Sequence, residues 1–255
     1  MKLKTQSLLT LAELSSKEFL GLIDESIKLK KELKKGGNKP LLKNKTLTMI
    51  FQKPSTRTRV SFEIGMYQLG GYAVNLLSND MQLSRGESIE DTAKTLSRYS
   101  NCIMARVYDH KLLETLSEHA SVPVINGLSD TFHPCQILAD FMTIKEKKKT
   151  LRGLKIAWIG DGNNVCNSMI YGAALSGMDM SIATPVGFKP EKTVVSESKR
   201  LTNIELTTDP FIANPATNQQ PMVTVTMVTS SLAAGAETLL PTYIQTTVAS
   251  RQYVR

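Results

Sequence analysis

Phe51-Gln-Lys-Pro-Ser-Thr-Arg-Thr-Arg-Val-Ser-Phe-Glu63 places a dense set of anion-binding groups where an apolar strand gives way to an amphipathic helix. Upstream, residues 47–51 form a short β-prone apolar run. Downstream, Val60, Ile64, Tyr67 and Gly71 step along one side of a helix that stops at Gly70 and Gly71. The spacing predicts strand, turn and helix N-terminus in that order. At a helix start the first amides have no intrahelical partner and the macrodipole is positive. Ser55, Thr56, Arg57 and Thr58 can therefore offer amides, hydroxyls and a guanidinium fork to one phosphate. A basic helix start capped by Ser55 accounts for the same string without a ligand.

The chain around this stretch reads as alternating strands and helices. Residues 8–35 read as two helices, with Ser15 and Ser16 as the N-cap region and Gly36, Gly37 and Asn38 as the stop. Residues 72–77 form a second strand, followed by a polar loop that closes in a capping-box pattern, Ser88-x-x-Asp91. A third strand, residues 102–108, carries Arg106 just before its end. An arginine in an apolar run is costly unless it emerges at the strand's carboxyl edge or meets an anion. That edge is where doubly wound sheets collect ligands. A helix over 111–120 and a strand over 122–126 then lead to Asp130-Thr-Phe-His-Pro-Cys-Gln136. Pro134 suits a first helical turn, which puts His133 and Gln136 at or beside the N-terminus of a helix striped by Ile137, Leu138, Phe141, Met142 and Ile144. A lone histidine in that place is commonly a cap or core residue. Convergence with Arg57 and Arg106 from two other strand ends favours a place in the site.

A second βαβ pattern starts near Leu151, with strands over 154–159 and 180–184 and a helix over 165–175. The intervening Gly160-Asp-Gly-Asn-Asn164 invites a dinucleotide reading, but the third glycine of that fingerprint would be residue 165, a valine, and no acidic residue closes the second strand. NAD is rejected. A helix over 191–200 and a strand over 204–208 follow. The fold class is α/β, with two doubly wound parallel-sheet domains, the second truncated or aberrant.

Composition narrows the function classes. The chain has 41% hydrophobic and 21% charged residues and no run of eighteen apolar ones, so a globular protein without a membrane span is expected. Cys102, Cys135 and Cys166 are odd in number and unpatterned, which argues for reduced thiols and against a disulfide framework or a zinc site. His110 and His119 sit among polar helix residues and are assigned to the surface. The net charge of +8 rests on lysine runs at residues 28–35 and 145–149. Both fall at predicted helix ends and lack interleaved aromatics, so solvated helix faces are favoured over a nucleic-acid site.

The pair F-x-K-x-S-T-R-T-R and, later, H-P-x-Q resembles the signatures of the aspartate and ornithine carbamoyltransferase family; the Lys53 spelling and Gly160-Asp-Gly-Asn-Asn164 are similar to its ornithine branch. The resemblance implies a carbamoyl-phosphate-binding domain at residues 1–150, a partial ornithine-binding Rossmann-like domain at 151–210 and a non-matching tail at 211–255. It implies carbamoyl transfer to ornithine in arginine biosynthesis, with no cofactor and no metal, in a homotrimer. By the same resemblance Ser55, Thr56, Arg57, Thr58, Gln82, Arg106, His133 and Gln136 bind carbamoyl phosphate, with Arg57, Arg106 and His133 catalytic. Asn164 holds ornithine, and Arg85 approximates a basic residue that reaches a neighbouring subunit's site. The start of the chain is similar to the family's mature start, so a cytoplasmic location is expected, or the mitochondrial matrix if a transit peptide is missing. After Pro210 the family's D-x-W-x-S-M-G and H-C-L-P segments are not found. Threonine, alanine, valine and proline replace them, with Met222-Val-Thr-Val-Thr-Met-Val-Thr229 alternating like a strand. Impaired activity, or a carbamoyl-phosphate-binding pseudoenzyme, is therefore expected of this chain.

Overall fold

A computed structural model describes residues 3–77, 81–82 and 86–199, together with the backbone of strands at 204–208, 222–229 and 242–249. The first sheet contains β1 (Thr46–Phe51), β2 (Tyr72–Leu77), β3 (Cys102–Arg106) and β4 (Val124–Leu128), all parallel in the order β2-β1-β3-β4. Between them run α2 (Thr56–Gln68), α3 (Ile89–Tyr99) and α4 (His110–His119). The chain leaves β1 in one direction for β2 and then continues on its other side through β3 and β4. The switch point therefore lies between β1 and β3.

The pleat divides the core. Leu47, Met49 and Phe51 with Met104 face one side, where Phe62 and Met66 of α2 cover them. Ile50, Ile103 and Ala105 face the other and pack with Ala93 of α3 and with Leu113 and Leu116 of α4. The side of α2 carrying Val60, Ile64 and Tyr67 is not the core face that its periodicity suggested. Those side chains are 51%, 48% and 79% exposed, and no residue of α2 is fully buried.

A second correction concerns the N-terminus. α1 (Ser16–Lys34) is one helix, and Ser15 caps it through a reciprocal box with Glu18. Residues 8–15 do not form a helix before it. Leu8 instead bridges Ile125 in parallel, its N–H donating to the Val124 carbonyl at 2.8 Å while Asn126 N donates to the Leu8 carbonyl at 2.9 Å. The edge of β4 supplies backbone partners that an isolated helical turn would lack.

The second sheet contains β5 (Lys155–Ile159), β6 (Asp179–Thr184) and β7 (Ile204–Thr208), parallel in that order, with α6 (Asn164–Ser176) and α7 (Lys192–Ser198) between them. β8 (Met222–Thr229) and β9 (Thr242–Ala249) form a separate antiparallel pair. The two parallel sheets are joined by α5 (Pro134–Lys148), which with α1 and α6 builds one continuous core around Phe19, Ile23, Ile137, Phe141 and Ile170. Phe19 and Phe141 meet edge to face at 5.3 Å between centroids. Gly172 makes the α5–α6 approach possible, because a Cβ there would lie 2.7 Å from Ile137 Cγ2 and 2.8 Å from Phe141 Cε2. Among the described residues no helix is long and apolar enough to cross a membrane.

Candidate anion site at the sheet edge

β1 delivers the chain to Ser55, which is the N-cap of α2 and accepts from Thr58 N at 3.3 Å. The cap and the anion readings are compatible, since the cap uses a lone pair of Ser55 Oγ and leaves its hydroxyl proton free to donate. Thr56 and Arg57 are exposed, and Arg57 makes no ion pair among the described residues. Arg106 stands at the end of β3, half-buried, and its Nη1 donates to Thr58 Oγ1 at 3.4 Å. A register shift between Ala105 and Arg106 interrupts the β3–β4 ladder, which resumes with Arg106 opposite Leu128.

His133 is the N-cap of α5 but makes no side-chain capping bond. Its backbone N–H donates to Ser168 Oγ at 2.8 Å, and its Nδ1 is buried without a hydrogen-bond partner among the described residues. Burial, and next the neighbouring Arg106 charge, push its pKa from 6.5 down to about 4. His133 is therefore a neutral imidazole near pH 7, with one N–H to donate and one nitrogen to accept. Thr58, Arg106 and His133 thus come together from three elements at the switch point.

Other expected site residues do not join this cluster through described contacts. Gln136 is exposed, and its Nε2 donates to Asp140 Oδ1 at 2.9 Å, one turn along its own helix. Gln82 is exposed, with its carbonyl accepting from Glu87 N at 3.1 Å. Arg85 lies outside the described residues. Asn164, the first residue of α6, donates from Nδ2 to the Ser129 carbonyl at 2.6 Å.

Several groups around the site were given no place in it from the sequence. Lys53 pairs with Asp130 and lies 4.3 Å over the Tyr108 ring, which ties together the loops that follow β1, β3 and β4. Asn167 and Ser168 of α6 reach loop 129–133, Asn167 Nδ2 donating to the Thr131 carbonyl at 3.1 Å. Only the dense polar spacing around Ser129 to His133 hinted at this seam. His110 is half-buried rather than exposed: its Nδ1 lies 2.9 Å from the Oγ of fully buried Ser129, and its ring packs edge-on against Phe132. Its neighbours come from a loop nineteen positions away, which local polarity does not reveal.

The glycine turn after β5 has a local purpose. Gly162 N donates to the Phe188 carbonyl at 2.8 Å, and the backbone of 188–190 occupies the space where a Cβ would stand. No group of three or more His, Cys, Asp or Glu residues placed to hold a metal lies among the described residues. Burial pushes Cys102 up to about 11 and Cys135 and Cys166 up to about 12, so none of them is a thiolate near neutral pH.

The fold and this geometry define a class: a two-sheet α/β protein with cationic and neutral donors gathered at the carboxyl edge of the first sheet. Residues 6–146 match the family described as aspartate/ornithine carbamoyltransferase, carbamoyl-P binding domain, and residues 152–237 match its Asp/Orn binding domain. The chain belongs to the aspartate/ornithine carbamoyltransferase family. The second match runs past Pro210, where the motif resemblance stops. Relatives include the ornithine carbamoyltransferase of Cenarchaeum symbiosum, 58% identical over 212 residues, which cover 82% of this chain and 69% of the relative. That of Carboxydothermus hydrogenoformans is 50% identical over 234 residues, 90% of this chain and 74% of the relative. Among solved structures, ornithine carbamoyltransferase from Pyrococcus furiosus aligns with a TM-score of 0.77 at 48% identity, covering 82% of this chain and 69% of that one.

Proposed function

We propose that the chain transfers the carbamoyl group of carbamoyl phosphate to the δ-amino group of L-ornithine, giving L-citrulline and phosphate. The observation that carries this reading is Arg106, which reaches Thr58 at the start of α2 and sits beside neutral His133 at the start of α5. In the proposed reaction the neutral amine attacks the carbonyl carbon, a tetrahedral oxyanion forms, and the C–O bond to phosphate breaks. That path needs donors aimed at the oxyanion and cations on the departing phosphate, and no cofactor.

Ser55, Thr56, Arg57 and Thr58 hold the phosphate in this reading, with Gln82 contributing from its loop. Thr58, Arg106 and His133 polarise the carbonyl oxygen. Gln136 orients the carbamoyl NH₂ after leaving Asp140, and Asn164 holds ornithine. The domain division follows the same reading, with residues 1–150 on the carbamoyl-phosphate side, 151–210 on the ornithine side and 211–255 as a tail without the family's S-M-G and H-C-L-P segments. We assign the reaction to arginine biosynthesis in the cytoplasm and the assembly to a homotrimer; the exposed Val60, Ile64 and Tyr67 of α2 support an apolar subunit contact beside the site. Without the S-M-G segment in residues 211–255, turnover by this chain falls below that of the relatives while carbamoyl phosphate binding persists.

Citrulline formation by the 255-residue chain, with Arg57→Ala as control, tests the proposal. Product that is lost in the control supports the transferase. No product from a chain that still binds carbamoyl phosphate favours the pseudoenzyme reading, for which the lost S-M-G segment is the specific observation. Failure to bind carbamoyl phosphate defeats both.

A further inference from the structure

Ser129 is fully buried in the loop after β4, and its polar atoms are all engaged. Its N–H donates to the Phe132 carbonyl at 2.9 Å, and its Oγ accepts from Phe132 N at 3.1 Å, closing a tight local turn. The same Oγ lies 2.9 Å from His110 Nδ1, and the Ser129 carbonyl accepts from Asn164 Nδ2 at 2.6 Å. We propose that His110 and Ser129 form a positioning pair that fixes the side-chain amide of Asn164 for an α-amino acid substrate. This rests on the assignment of Asn164 to the ornithine side of the site.

Burial lowers the pKa of His110, which favours its neutral imidazole, and Nδ1 shares a hydrogen bond with Ser129 Oγ, whose hydroxyl also lies within reach of the Phe132 carbonyl at 3.4 Å. That bond, the turn to Phe132 and the edge-on packing of His110 against Phe132 hold the Ser129 carbonyl in one place. A carbonyl can only accept, so Asn164 must turn Nδ2 toward it and Oδ1 away. The amide is then unable to flip without breaking a short bond. It keeps one acceptor and one remaining N–H for a ligand that carries both an ammonium and a carboxylate. His110 touches neither substrate in this arrangement and acts only through Ser129.

Two readouts test the pair, and only one of them needs ornithine to bind. The side-chain NH₂ resonances of Asn164 in ¹⁵N-labelled chain are assigned by their loss in Asn164→Asp. They are expected to shift in His110→Leu and in Ser129→Ala, and to return in His110→Asn, whose amide can place a hydrogen-bonding atom where Nδ1 stood. With carbamoyl phosphate saturating, L-ornithine is expected to bind His110→Leu about five-fold more weakly, the effect of one buried hydrogen bond, and His110→Asn within about two-fold of the parent. Carbamoyl phosphate affinity is expected to stay constant across the series. An Asn164 resonance unmoved in both His110→Leu and Ser129→Ala overturns the proposal, as does an equal loss of carbamoyl phosphate binding in His110→Leu and His110→Asn. If Asn164→Ala leaves ornithine affinity unchanged, the substrate assignment fails, and the resonances still decide the positioning.

Discussion

The carboxyl edge of the first sheet and the seam between loop 129–133 and α6 are both polar, yet their hydrogen bonding is opposite. At the edge, Arg57 is exposed without an ion pair and His133 Nδ1 is buried without a hydrogen-bond partner among the described residues, while Arg106 donates to Thr58 at 3.4 Å. At the seam, Asn164, Asn167 and Ser168 meet Ser129, Thr131 and His133 at 2.6, 3.1 and 2.8 Å, and Asn167 Oδ1 also accepts from Glu191 N at 3.0 Å. Buried polar groups are normally satisfied, so the unpartnered His133 Nδ1, with the exposed Arg57 guanidinium at the start of α2, is consistent with a ligand that arrives. Satisfied groups beside it point to a frame. In the proposed reading the edge receives an anion and the seam holds the edge's neighbours still.

The sharpest way to break that contrast is Arg106→Met set against Asn164→Ala. Arg106→Met is expected to weaken carbamoyl phosphate about 100-fold, the scale of losing a charge-assisted contact worth roughly 3 kcal/mol. Asn164→Ala leaves the same affinity within about two-fold. Equal losses in a titration of both variants would erase the distinction between edge and seam.

Acid tests the edge through His133. Its folded pKa of about 4 lies below the ordinary 6.5, so the unfolded chain binds the extra proton first as pH falls. The stability tied to its neutrality is full above pH 6.5, declines between 6.5 and about 4 and is then exhausted, with a total on the order of 3 kcal/mol. Urea midpoints across that range, compared with His133→Gln, check it; the variant's profile is expected to be flatter.

Gly172→Val tests the core that carries the seam. A side chain in the space held by Ile137 and Phe141 is expected to cost about 1–3 kcal/mol of stability. The smallest effect is expected from Ser55→Ala, which removes the cap of α2 at about 1 kcal/mol. It is expected to weaken phosphate binding further than that stability loss explains, because the same hydroxyl faces the anion in the proposed site. Thermal midpoints with and without carbamoyl phosphate separate the two contributions.

The sequence and the structure agree where the determinants are local. Phe51 to Glu63 carries its strand, turn and helix in consecutive residues, and Pro134 places His133 at a helix start, so both are readable in order along the chain. Agreement fails where a distant segment decides the outcome. Periodicity found an apolar side on α2 but could not say what covers it, and Phe62 and Met66 rather than Val60, Ile64 and Tyr67 turned out to face the sheet. Residues 8–15 are too short to separate helix from strand by period, and the unpaired edge of β4 settled the matter at Leu8. His110 looked polar and exposed among its neighbours in sequence, whereas its real neighbours are Ser129 and Phe132. Gln136 was legible as a helix-start residue, but its present bond to Asp140 depends on a rotamer that no motif specifies.

The most direct test of the central claim is calorimetric titration of carbamoyl phosphate into the 255-residue chain and into Arg57→Ala. Saturable one-site binding is expected of the parent, weakened about 100-fold or beyond detection in the variant. Equal affinity in the two would contradict it, and would mean that the start of α2 is a capped basic helix and nothing more.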